Sequence, residues 1–169
     1  MPLTRWALVV LTTVLSLVLT AAGAAAGPRG GPLDGFTITH LPETVGPQAS
    51  PSDFSYEWED VVFTTRAWEQ AKEGGGFQVV LQVLVMRGEG LTDLASVRSF
   101  LAHYHERDPD SWDLADFDRD DTSGLYGAAE AFWVPEKGVA VEVRDTSGLL
   151  GTDEMLAVAR GITPGENPA

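Results

Sequence analysis

The run Phe77–Arg87 (FQVVLQVLVMR) constrains this chain more than any other segment. Read as a strand, it puts Phe77, Val79, Leu81, Val83 and Val85 on one face and Gln78, Val80, Gln82, Leu84 and Met86 on the other. Both faces are largely apolar, which predicts a central strand of a sheet. Upstream, Phe54–Trp68 is rich in aromatic and β-branched residues, which suit a pleated surface. The break at Gly74–Gly76 joins the two runs as an antiparallel hairpin. A second hairpin is expected where Gly127–Val134 and Val139–Arg144 flank Pro135-Glu136-Lys137-Gly138. Closing on that loop pairs Val134 with Val139 and Phe132 with Val141, leaving Trp133, Ala140 and Glu142 on the other face. Phe36–Leu41 reads as a short strand. Ser111–Asp121 alternates apolar and acidic residues, as an edge strand whose carboxylates discourage pairing with another chain.

Two segments switch to the helical period. In Leu91–Arg107, Thr92 is the expected cap, Leu94, Val97, Leu101 and Tyr104 form one stripe, and Asp108-Pro109 ends the helix. In Gly151–Ile162, Thr152 is the expected cap, and Met155, Val158, Ala159 and Ile162 form the stripe. The order strand, hairpin, helix, hairpin, helix predicts an α+β fold. Its expected form is an antiparallel sheet of about five to six strands with two helices packed on one face.

The chain has 169 residues, which suits one domain. It has no Cys, so disulfides, thiolate metal sites and thiol nucleophiles are excluded. A net charge of −14 opposes nucleic acid and anionic lipid as partners. Residues 1–26 read as a secretory signal peptide: Arg5, then the apolar Trp6–Thr20, then AAGAAA. Ala24 and Ala26 fit positions −3 and −1, with release before Gly27, which takes the charge to −15 and leaves no membrane contact. The alternative is an uncleaved anchor, since Trp6–Ala26 is long enough to span a bilayer of about 30 Å. Either way the remainder works outside the cytoplasm. Residues 27–35 read as a flexible leader, 36–162 as a single domain and 163–169 as a disordered tail.

Several motifs touch on chemistry. Asp121–Gly127 (DTSGLYG) matches Asp145–Gly151 (DTSGLLG) at six of seven positions. An aspartic dyad would need the Gly directly after the Thr or Ser, so both copies read as Asp and Ser/Thr turns. Glu130 shares a face with Phe132, Val141 and Val143 in the register above, where burial would raise its pKa. Asp121, Glu130 and Asp145 are therefore the candidates for a carboxylate-dependent hydrolase. Asp116, Asp118, Asp120 and Asp121 are the candidates for a calcium site. Asp118, Asp120 and Thr122 fall at the first, third and fifth positions of an EF-hand loop, but Ser123 and Ala129 stand where Gly and Glu are needed. His105 lies on the apolar side of the first helix, as a core-edge residue, a dipole partner or a ligand, whereas His103 points to solvent. Trp58, Trp68, Trp112 and Trp133 serve as core or line a groove. None of these sets completes a catalytic constellation. The expectation is a domain without catalytic residues or cofactor that binds a protein or small-molecule partner outside the cell.

The stretch SYEWEDVVFTTRAW, with HYHERDPDSWDLADF and the ending WVPEKGVAVEVRD…DEMLAVARGI, resembles secreted proteins of high-GC actinobacteria whose function is uncharacterised. Residues 125–162 are also loosely similar to small extracytoplasmic α+β domains of bacterial lipoproteins and anti-sigma-factor partners. This chain lacks the lipobox Cys of the lipoproteins. The resemblance implies an extracytoplasmic α+β domain and transfers no catalytic residue.

Overall fold

A computed structural model describes residues 30–119 and 122–165. The signal-peptide reading falls on residues outside that range. The chain runs β1 (Gly31–Leu33), β2 (Phe36–Ile38), β3 (Ser50–Trp58), β4 (Val61–Ala71), β5 (Phe77–Arg87), α1 (Leu94–Tyr104), β6 (Ala115–Arg119), β7 (Thr122–Tyr126), β8 (Glu130–Glu136), β9 (Val139–Arg144), α2 (Gly151–Arg160) and β10 (Ile162–Pro164). The fold is mainly sheet with two helices, but it has two sheets rather than one of five or six strands. Seven strands pair antiparallel in the order β3-β4-β5-β9-β8-β7-β6, and three pair in the order β1-β2-β10.

β5 lies between β4 and β9 and is buried on both faces over residues 83–86. Phe77 at its start is 72% exposed, and a bulge at Val80, opposite Trp68 and Glu69 of β4, brings Val80 into the core of Leu81 rather than that of Leu84 and Met86. Val83 and Val85 enter a core with Trp68, Ala131, Trp133, Val141 and Val143. That core is closed by Met155, Val158 and Ala159 of α2 and by Phe36, Ile38 and Ile162 of the small sheet. Leu84 and Met86 point the other way, into a core with Phe63, Phe132 and Ala140 under Val97 and Leu101 of α1. The helices therefore cover opposite faces, contrary to the expectation of one covered face. A central strand with two apolar faces needs a lid on each.

Other differences have local causes. The aromatic run Phe54–Trp68 turns at Glu59, in the left-handed region at φ 51°, so it supplies both β3 and β4. Asp121–Gly127, read as a loop, contributes β7, because the Gly124 position pairs across to Phe117 of β6. Gly31–Leu33, read as leader, and Ile162–Pro164, read as the end of the second helix and the start of the tail, flank β2 and complete the small sheet. The expected caps are displaced. Asp93, not Thr92, caps α1, its carboxylate accepting from Ser96 N–H while the Ser96 hydroxyl accepts from Asp93 N–H. Helix α1 already ends at Tyr104, before Asp108-Pro109.

Candidate functional site

The sequence candidates converge in part. The last turn of α1 ends on His105, and Glu106 follows with φ 52°. Glu106 N–H donates to His103 C=O and Arg107 N–H to Ala102 C=O, the two bonds of a left-handed helix stop. This turn directs Arg107 back over the sheet, where it meets β8. Arg107 donates from both terminal nitrogens to the two oxygens of Glu130, each at 2.7 Å. Trp112 Nε1 donates to the same carboxylate at 2.8 Å, and the Arg107 guanidinium lies 4.9 Å from the Trp112 ring centroid.

Glu130 is thus buried but charged. Burial alone would raise its pKa; the hydrogen bonds from Arg107 and Trp112 and the Arg107 charge outweigh it, holding the carboxyl below its ordinary 4.5. The expected upward shift is corrected, and so is its setting. A register shift at Val134-Pro135 makes Phe132 face Glu142 and Trp133 face Val141. Glu130 consequently shares its face with Phe132 and Glu142, not with Val141 and Val143. Pro135 has no N–H to give the ladder, so the irregularity falls there.

Beside this pair, His105 Nε2 lies 2.9 Å from Glu142 Oε1, with Glu142 fully buried. Tyr56 Oη lies 2.5 Å from Tyr104 Oη. Burial, the Tyr104 hydrogen bond and the Glu142 charge all push the Tyr56 hydroxyl's pKa up. Sequence reasoning passed over Glu142, Arg107 and the tyrosine pair. The signal for Glu142 was present, since it is the one charge inside VAVEV.

Asp145 goes elsewhere. It follows β9 on the α2 side, and its carboxylate accepts from Leu149, Leu150 and Gly151 N–H and from the Ser147 hydroxyl. It does the capping expected of Thr152, which lies inside the helix. Glu130 and Asp145 project from opposite faces of the large sheet, so they do not address one bond together. Asp116 and Asp118 are exposed on the edge strand β6, where Phe117 between them points inward. Asp120 and Asp121 lie outside the described residues. Among the described residues no three His, Asp or Glu side chains are gathered so as to hold a metal ion. Of the tryptophans, Trp68, Trp112 and Trp133 are buried, and Trp58 is half-buried against Phe100 and Tyr104.

The concavities among the described residues include two in which charged side chains meet aromatic ones. A cleft of about 250 Å³ lies where the two sheets meet, lined by Phe36, Trp133, Ile162, Pro164, Thr122 and Arg119. Arg119 stacks 3.9 Å from the Trp133 ring centroid and donates to Ile162 C=O. It ties the sheets together. A more open depression of about 530 Å³ is lined by Glu59, Asp60 and Glu89 around Val61 and Phe100.

Compared with family models, with curated proteins and with solved structures, the chain matches none. No helix among the described residues is long and apolar enough to cross a membrane.

Proposed function

We propose that this protein acts outside the cytoplasm as a non-enzymatic α+β domain that binds another protein. The observation that carries the reading is the use of the buried carboxylates. Glu130 is bound to Arg107 and Trp112, Glu142 to His105, and Asp145 to the first amides of α2. Each is held by groups of the fold, Glu142 through one of its two oxygens, and none lines the described concavities. A protein partner is favoured over a small ligand by size. Ligand pockets of about 300–1,000 Å³ enclose most of their ligand. The cleft at the sheet junction falls below that range, and the wider depressions, of about 530, 550 and 650 Å³, are open to solvent rather than enclosing. The apolar segment before the small residues Ala21–Ala26 supports export.

The test measures hydrolysis of chromogenic esters, glycosides and peptides by the purified protein and by Glu130→Gln. No hydrolysis by either, with a lower melting temperature for the variant, is the expected outcome. Hydrolysis that disappears in Glu130→Gln at an unchanged melting temperature overturns the reading. The N-terminal residue of the protein recovered from the culture medium is expected to be Gly27.

A further inference from the structure

We propose that the outer edge of β3 takes up an extended segment of the partner as an eighth strand, and that this segment alternates apolar and basic residues. The inference rests on the partner-binding reading and names the surface and the chemistry.

The two ends of the large sheet are unlike. β6, at one end, is five residues long and displays Asp116 and Asp118. Short strands with exposed charges are how sheet edges avoid adventitious pairing. β3, at the other end, is nine residues long and pairs with β4 over nine consecutive positions with no bulge. Among the described residues nothing pairs with its outer side. It has no Lys or Arg, and Ser50–Ser55 are exposed on both faces; Pro51 has no N–H to offer, so the edge open to pairing runs from Ser52 to Trp58. A long, regular, uncovered edge is a template for strand addition.

The side chains say what would fit. Phe54, Tyr56 and Trp58 face the α1 side; Phe54 stacks on Tyr56 at 6.1 Å and stays 45% exposed. An added strand would lay every second side chain beside this aromatic row, so those positions call for apolar residues. Asp53, Ser55 and Glu57 face the other way. Asp53 is already taken by Arg66, with both bonds at 2.6 Å. Glu57 is exposed on that face, and at the same end of the edge the depression of Glu59, Asp60 and Glu89, on the α1 side beside Phe100, adds further negative charge. The alternate positions therefore call for Lys or Arg. A second copy of this chain fits poorly. Antiparallel pairing about Ser55 would set Asp53 against Glu57, between two strongly acidic chains.

The probe is a fluorescent peptide alternating lysine with valine over the length of β3, read by anisotropy. The controls are the same peptide N-methylated at alternate residues and a glutamate–valine peptide. Binding is expected to weaken about tenfold or more for each control, and likewise in Phe54→Lys and Glu57→Lys at unchanged melting temperature. No binding overturns the proposal. Equal binding of the N-methylated peptide overturns it too, since that would be surface charge without strand pairing. Equal binding of the glutamate peptide overturns the charge assignment. Self-association that Phe54→Lys reverses would assign the edge to a second copy. Failure here leaves the broader partner-binding reading standing, because that reading falls only on Glu130-dependent turnover.

Discussion

Glu130→Gln removes one member of a charge pair whose other member, Arg107, stays 29% exposed. Breaking a fully buried pair costs about 3–5 kcal/mol; partial exposure of Arg107 brings the expected loss to about 2 kcal/mol. The acid side tests the same contact. A carboxylate whose pKa is lowered by folding contributes stability above its unfolded pKa, and that contribution fades as pH drops through the folded value. Wild type should therefore lose more melting temperature than Glu130→Gln as pH falls below about 4.5, and a scan of both proteins from neutral to acid checks it. Glu142 behaves differently, being fully buried with one oxygen on His105. Glu142→Ala should cost about 3 kcal/mol, while the double replacement His105→Phe with Glu142→Leu should recover most of it in chemical denaturation. Glu130 stood out in the sequence as a lone acid at the head of an apolar strand. Its partner did not, because Arg107 reaches it only through the left-handed turn at Glu106, which a non-glycine residue does not advertise.

The near-repeat shows at the level of elements how identical letters build different structure. In the first copy Gly124 sits in β7 opposite Phe117, and a Cβ there would lie 2.3 Å from that ring. In the second copy Gly148 has open space around it but adopts φ 69° in the turn before α2. One glycine is required for room and the other for backbone conformation. Gly124→Ala should cost about 2–3 kcal/mol through overpacking, and Gly148→Ala about 1 kcal/mol through backbone strain. Equal effects in denaturant titrations would contradict this distinction. The hairpins and both helices were legible because Gly74–Gly76, Lys137-Gly138 and the apolar stripes are local signals. The register of β8 on β9 was not, because Pro135 moved the irregularity into the strand rather than the turn. β7 was missed for the same kind of reason: its Asp, Thr, Ser and Gly residues are turn formers, and pairing with β6 overrides them.

For the whole molecule, the placement of α1 and α2 on opposite faces could not be read from their stripes, since an apolar stripe says that a helix packs and not where. The two-faced strand β5 held that information, and taking it at full value would have required two lids. Charge is the other property of this scale. With a sequence pI near 4.4, repulsion between copies vanishes at mild acidity while the long edge of β3 stays open. Turbidity should peak near that pH, and Ser55→Lys, which places a cation on the edge, should lower the peak.

The small sheet gives the chain a sense of completion in time. β2 is the middle strand, with β1 from the start of the domain on one side and β10 from its end on the other. A chain that emerges from its N-terminus can form β1, β2 and the large hairpins early, but Phe36 and Ile38 remain uncovered along one border until the last strand arrives. Every nascent or prematurely ended copy therefore exposes the same unfinished seam, and the intact protein is distinguished from its fragments by whether that seam is closed.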